Sequence, residues 1–259
     1  MSYKLETAAF ARLLGIMDEL RAKCPWDQSQ TIESLRHLTI EETYELSDAI
    51  IENNPDEIRG ELGDLMLHLV FYAKIGSETN QFNITQVIDG ICEKLIIRHP
   101  HIFGDVIVKD ANEVKDNWER IKITREGKKS VLSGVPESLP ALIKAYRMQE
   151  KAAGVGFDWE NGDQVWEKVQ EELNEFKHEI ASNTDTHKVE SEFGDIMFAL
   201  VNYARFINVN PEDALEKTNK KFRRRLNHIE KRAREIGKPL HEMTLTEMDA
   251  YWNEAKAME

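Results

Sequence analysis

Cysteine is nearly absent: the 259 residues hold only Cys24 and Cys92, with no His or further Cys at metal-ligand spacing around either. That argues against a disulfide framework or a structural zinc site, and makes a reducing cytoplasm the expected compartment. No apolar run approaches the roughly 20 residues that a membrane helix needs, so no membrane partner is expected. Residues 1–20 carry acids through an amphipathic run and lack the basic-then-apolar order of a secretory signal. Positive charge is also in deficit. A formal net charge of −13 argues against binding to a nucleic-acid polymer, which would ask for a basic stripe. A polyphosphate could still bind, through a bridging metal and a local cluster of Lys and Arg. Alternating β patterns are scarce, a Walker-type Gly-rich loop is missing, and no Ser-His-Asp or Cys-His set can be assembled around residues 24–27 or 156–159. Those two segments read as packing turns between helices.

What the chain does have is paired carboxylates. Glu171-Glu172-Leu173-Asn174-Glu175 is followed by Glu192-Phe193-Gly194-Asp195, which sets Glu172 with Glu175 and Glu192 with Asp195, each pair three residues apart. On a helix, residues three apart share a face. Two such helices side by side would aim four acids into one small volume, where they repel and resist ionising. The arrangement makes sense mainly around a hard cation such as Mg²⁺. The pattern occurs twice: Glu41-Glu42-Thr43-Tyr44-Glu45 precedes Glu61-Leu62-Gly63-Asp64 at a constant offset of 130 or 131 positions. The chain is therefore read as a duplication, with an N-terminal helical domain over 1–126, a linker over 127–139 and a C-terminal helical domain over 140–259. With 41% hydrophobic and 31% charged residues, the composition is that of a globular protein. The expected fold class is all-α, two tandem copies of a small helical bundle.

Apolar residues at helical period (Phe10, Leu13, Leu14, Met17, Leu20) predict a helix over 5–23, broken at Pro25. A long helix through Glu42 and Glu45 is predicted from about 31 to 52, then a turn at Asn53-Asn54-Pro55 and a helix carrying Glu61 and Asp64 to about 75. A loop over 76–83 leads to a helix over 84–98, ended by His99-Pro100-His101. Val114, Trp118 and Ile121 share a face of a further helix over 113–125. The second half repeats the order: helix 141–153, break 154–159, helix 163–181, the Glu192/Asp195 helix to about 207, a turn over 208–211 and a basic helix over 212–236.

An acidic pair at this spacing, taken alone, is usually a solvated helix face. Here the pairs come doubled in each half, the set recurs, and each pair sits beside an apolar stripe. In the second half the stripe is Val169, Leu173, Phe176 and Ile180, with Glu172 at its edge. A di-iron carboxylate bundle would need Glu-x-x-His on two helices. Glu175 and His178 fit that once, Glu45 and Asp48 do not, and His178 reads as a surface residue. Lys217, Lys220, Lys221, Arg223, Arg224 and Arg225 crowd one late helix. They either balance the acids as a solvated face or, through Lys221 and Arg225 four apart, hold phosphates beside them. The first half has Lys94 and Arg98 at that spacing but fewer basic neighbours. Trp252 either stacks on a base or caps the core.

The E-x-x-E, gap, E-x-x-D pattern resembles that of the all-α NTP pyrophosphohydrolases. Cys24-Pro25-Trp26-Asp27-Gln28, Gly60-Glu61-Leu62-Gly63-Asp64, Arg98-His99-Pro100-His101 and Gly156-Phe157-Asp158-Trp159 narrow the resemblance to the MazG family in its two-domain bacterial form, over almost the whole chain. The resemblance implies an enzyme that hydrolyses NTPs and dNTPs to the monophosphate and diphosphate with broad base specificity. It also implies a homodimer, a second domain that is the main catalytic one, and a Mg²⁺ cofactor for which Mn²⁺ can substitute. Carried over by position, Glu172, Glu175, Glu192 and Asp195 would be metal ligands, and Glu42, Glu45, Glu61 and Asp64 a second such set. The nucleotide site would be lined by Lys168, Val169, Gln170, Glu171, Glu172, Lys188, Val189, Glu190, Ser191, Asp195, Lys221, Phe222, Arg223, Arg224, Arg225 and Trp252. The loop between the second pair of acid motifs is one residue shorter than in that form, which loosens the match at residues 188–191. Glu171, Glu172 and Glu175 are the catalytic candidates, with Glu171 or Glu175 as general base. Two other classes stay open. A Mg-nucleotide sensor would bind without forming product, and a helical interaction scaffold would show no Mg²⁺ dependence.

Overall fold

A computed structural model describes residues 3–110, 113, 114, 117, 121, 130–182 and 185–259. These residues form helices joined by turns, with no strand among them. The chain divides into two compact units, residues 1–114 and 115–259.

In the first unit, α1 (Lys4–Lys23), α2 (Pro25–Ser29), α3 (Ile32–Ile51), α4 (Pro55–Glu78), α5 (Ile84–Arg98) and α6 (Pro100–Phe103) follow in order. Short polar residues set the starts. Thr31 with Ser34, and Asn83 with Gln86, form reciprocal capping boxes, and Asn54 caps α4 ahead of Pro55. The α3–α4 pair is the main packing unit, and α1 lies against α4. Met17, Leu35, Val70, Phe71 and Ile75 form its core. Arg21 donates to the Glu78 carboxylate at 2.5 Å and to the Asp27 carbonyl, with its guanidinium 5.5 Å over the Phe71 ring. Gly76 is fixed by a close approach, since a Cβ there would meet the Phe82 ring at 2.8 Å.

From residue 130 on, the second unit carries a 3-10 turn, Val131–Gly134, within the stretch read as linker. It continues with α7 (Ala141–Ala153), α8 (Gly162–Ala181), α9 (Thr186–Phe206), α10 (Pro211–Glu235) and α11 (Leu245–Ala257). Here α8 and α9 form the main pair, α7 packs on α9 and α10, and α11 packs on α10. Both units turn out of their second acidic helix in the same way. A left-handed asparagine (Asn80, φ 54°; Asn208, φ 56°) is followed by a capping asparagine, Asn83 or Asn210. Asparagine tolerates that conformation because its side chain hydrogen-bonds locally. Among the described residues no helix is long and apolar enough to cross a membrane.

Several local expectations change. Pro25 does not only break α1; it occupies the first position of α2, where its missing N–H costs nothing. Pro100 does the same for α6. The loop expected from residue 76 starts later, because α4 runs to Glu78. The helix expected over 113–125 lies largely outside the described residues. Helix α11 went unread in the sequence. The apolar stripe on α8 is also shifted: Val165, Val169 and Glu172 are the buried residues, while Leu173 and Ile180 face outward.

Two outcomes follow from this packing. Leu35 is fully buried, so Leu35→Ala should cost about 2–5 kcal/mol in urea unfolding followed by circular dichroism. Glu247 closes the α11 capping box with Thr244 and pairs with Lys238 at 2.7 Å, which together pull its carboxyl down to about 2. A depressed carboxyl stabilises the fold above its unfolded value near 4.5 and loses that contribution as pH falls toward 2. An NMR titration of the Glu247 side chain should therefore give a midpoint well below 4, and Lys238→Met should raise it.

Candidate functional site

Helices α8 and α9 run side by side, and their facing turns carry the acids. Glu172, Glu192 and Asp195 each offer a carboxylate oxygen within 4.8 Å of the other two. Glu172 is 7% exposed, on the helix face that also buries Val165 and Val169. Glu175 lies one turn further on, exposed and outside that trio, yet close enough for its charge to act on Glu192. The Glu192 carboxyl is raised by desolvation and then by the charges of Glu175, Asp195 and Glu172. Like charges held together in this way resist ionising. One counter-charge is built in: Lys168 Nζ lies 2.8 Å from Glu172 and 2.9 Å from Glu171, contacts that raise its pKa.

The first unit brings together a different trio of its four acids, Glu42, Glu45 and Glu61, again within 4.8 Å. Asp64 stands outside that trio, but its charge raises Glu42, Glu45 and Glu61, after desolvation, the leading cause in all three.

Beside the second unit's acids opens a cavity of about 760 Å³. Lys168, Glu172 and Asp195 line one part of it. The α9 stripe that begins at Asp195 continues along the wall as Ala199, Asn202 and Arg205, as helical period requires. Val131 and Leu132 of the 3-10 turn and the end of α7 line other parts. Residues 156–159, read from sequence as a packing turn, border the cavity, and Arg205 holds that turn through a two-pronged pair with Asp158. The turn does pack, but it also shapes the opening.

The positions equivalent to this lining are filled in the first unit. Leu38 stands where Lys168 is, His68 where Ala199 is and Phe71 where Asn202 is. Phe71 is 2% exposed and belongs to the core, against which Leu38 packs. The first unit thus keeps its acids but packs the adjoining space with its own side chains.

The other residues singled out in the sequence fall in two places. Lys188, Val189, Glu190 and Ser191 occupy the early turns of α9, just before Glu192 and mostly exposed. Lys221, Phe222, Arg223, Arg224 and Arg225 lie on α10 and do not line the cavity among the described residues. Arg225 pairs with Glu259 at 2.6 Å and lies 5.1 Å over the Trp252 ring, which also packs on Phe222 at 5.4 Å. Within one chain Trp252 therefore caps the α10–α11 contact. The sequence reading passed over Gln149 and Asn202. Gln149 carried a signal, because a glutamine is out of place on the face of a helix that should be apolar. Asn202, inside an apolar run, carried a weaker one.

Two stretches of the chain, residues 30–103 and 161–230, match the MazG nucleotide pyrophosphohydrolase domain. The chain is 43% identical over 251 residues to the nucleoside triphosphate pyrophosphohydrolase/pyrophosphatase MazG of Thermotoga maritima, covering 95% of each. It is 40% identical over 255 residues to the nucleoside triphosphate pyrophosphohydrolase of Escherichia coli K12, covering 96% of this chain and 97% of that one. An uncharacterised protein of Bacillus subtilis, YabN, is 49% identical over 260 residues, which is 99% of this chain and 53% of the relative.

The crowding of Glu192 by three other acids has a measurable consequence. In the presence of a chelator, Glu192→Gln should raise the midpoint of thermal unfolding, because it removes one of the repelling charges. An unchanged or lowered midpoint would mean that the cluster is relaxed by solvent.

Proposed function

The chain belongs to the MazG nucleotide pyrophosphohydrolase family, and we propose that its second unit cleaves nucleoside triphosphates between the α and β phosphates with Mg²⁺ held by Glu172, Glu175, Glu192 and Asp195. It is a hydrolase that acts on nucleoside triphosphates. The observation that carries the site assignment is the convergence of Glu172, Glu192 and Asp195, two of which, Glu172 and Asp195, line a cavity of small-ligand size. The donor set fits a hard dication: it is all carboxylate oxygen, with no nitrogen or sulfur, and the repulsion that raises Glu192 is what such a cation would relieve. Mn²⁺ suits the same oxygens.

When bound, Mg²⁺ neutralises and orients the triphosphate. The protein's own residues supply the rest. Lys168 is held protonated by Glu171 and Glu172 and presents a fixed positive charge toward the departing diphosphate. Glu171 and Glu175 are the carboxylates available to take a proton from the attacking water. Lys168 engages Glu171, while Glu175 would act through the carboxylate oxygen that does not hold the metal. Residues 188–191 approach the phosphates from the turn before Glu192. The basic row on α10 adds long-range attraction for a polyphosphate on a chain whose net charge is −13. A largely apolar cavity accepts purines and pyrimidines alike, in keeping with broad base specificity.

The first unit keeps a second metal set in Glu42, Glu45, Glu61 and Asp64. Leu38 and Phe71 leave it neither the lysine nor the space for a nucleotide. A second copy of the chain is proposed to cover Leu173, Ile180, Phe193 and Met197, which α8 and α9 leave exposed. Light scattering should then give twice the mass of one chain, and the mass of one chain would overturn that assignment.

Two measurements test the chemistry. Purified protein with Mg²⁺ and ATP should yield AMP and diphosphate on anion exchange, while ADP and phosphate would overturn the cleavage position. ATP bound without product would make the protein a sensor. Glu172→Gln should lower diphosphate release by about 100-fold or more. A near-normal rate would transfer the chemistry to the first unit.

A further inference from the structure

Lys168 stands one turn before Glu172 on α8, with its Nζ 2.8 Å from the Glu172 carboxylate and 2.9 Å from that of Glu171. Of the two orders in which lysine and glutamate can pair along a helix, lysine first is the weaker. Helix geometry alone therefore does not account for the contact. Crowding does: Glu172 is buried and shares its cluster with Glu192 and Asp195, so a cation beside it relieves strong repulsion. The Lys168 side chain is less enclosed, at 35% exposed against 9% for that of Glu172. It borders the large cavity and also a smaller one of about 350 Å³, lined by Trp159 and Glu171 among others. A compact charge on a flexible four-carbon stem has room to change partner there. In the first unit Leu38 stands four residues before Glu42, where the second has Lys168 before Glu172. The acids recur, the lysine does not, so the pairing is peculiar to the second site.

We propose that Lys168 and the dication compete for Glu172, and that arrival of the dication hands the lysine over to the triphosphate. This rests on the metal-site assignment made above. A dication on Glu172 and an ammonium within hydrogen-bond reach of the same carboxylate repel each other. Glu172 is held on the packed face of α8, so the lysine is the partner that moves. Its charge is constant throughout; only the oxygens it rests on change. A dication arriving alone must displace the lysine, and a nucleotide arriving alone finds the lysine committed to the acids. Together they satisfy every group, the acids through the dication and the lysine through phosphate. Each ligand thus raises the affinity for the other through Lys168, beyond what direct contact between metal and phosphate supplies.

The test reads binding rather than turnover. Mn²⁺ bound to the full chain is counted by electron paramagnetic resonance, in a Glu42→Gln/Glu61→Gln parent that removes the first unit's set. Without nucleotide, Lys168→Met should tighten Mn²⁺ binding about tenfold, and Lys168→Arg should stay near the parent value. With saturating Mn²⁺, Lys168→Met should weaken about tenfold the binding of α,β-methylene-ATP, which cannot be cleaved between those phosphates. In EDTA, parent and variant should bind that analogue alike. Unchanged or weaker Mn²⁺ binding by Lys168→Met would overturn the competition. Equal losses of analogue affinity with Mn²⁺ and with EDTA would make Lys168 a plain phosphate ligand and overturn the handover. If the variant does not fold, labelling of the unsubstituted chain decides: Mg²⁺ should speed acetylation of Lys168 by acetic anhydride several-fold, and an unchanged rate would overturn the proposal. Parent and variants that all fail to bind Mn²⁺ would instead sink the metal-site assignment.

Discussion

The structure depends on holding like charges together. Three carboxylates from facing turns of α8 and α9, Glu172, Glu192 and Asp195, are kept within reach of one another by helix packing, with Glu175 nearby, and one of the three, Glu172, lies on the buried face. Isolated in water these groups would separate. Here the apolar contacts on either side, Val165 and Val169 on α8 and Ile196 and Ala199 on α9, set the interhelical distance before electrostatics has a say. The helical period then carries the same face onward, from Asp195 to Ala199, Asn202 and Arg205. The wall of the cavity is thus a continuation of the acid stripe, set by one helix register.

The two units show how one bundle can keep a charged cluster while the side chains beside it change. Both have the acids, the capped helix starts and the left-handed asparagine after the second acidic helix. Three of the positions at which they differ lie beside the acids. A leucine replaces the lysine that balances Glu172, and histidine and phenylalanine replace alanine and asparagine. Each replacement adds bulk or removes a polar group, and together they convert an open space into the core around Phe71 and Met17. The acids survive in the first unit without the lysine and the small residues that flank them in the second.

Much of this was legible in the sequence. Helix ends were readable because they rest on local chemistry: Thr31, Asn54, Asn83 and Asn210 cap with their own side chains, and Pro55 and Pro211 occupy first turns. The acid pairs were readable because helical spacing and duplication each constrain them. What stayed hidden depends on contacts between segments distant in the chain. The buried face of α8 came out rotated because Leu173 and Ile180 are apolar yet face outward, so hydrophobicity alone aimed the stripe at the wrong turn. Residues 156–159 passed as a packing turn because their link to Arg205 spans 47 positions. Gln149 meets its partner, the carbonyl of Phe198, 49 positions away. Helix α11 was missed although Thr244 and Glu247 spell a capping box and seven of its thirteen residues are apolar, because three of those seven are alanines, a weak apolar signal.

The cavity also bears on how long the protein lasts. A void flanked by repelling carboxylates is a weak place in a helical bundle, and local opening starts where apolar contacts are fewest. Whatever fills it binds the folded form and not the unfolded one, so occupancy adds directly to stability. Proteases that act on transiently opened chains would therefore remove empty copies faster than filled ones. The abundance of the ligand would then set the lifetime of the second unit, while the first, with its space already packed, would be indifferent to it.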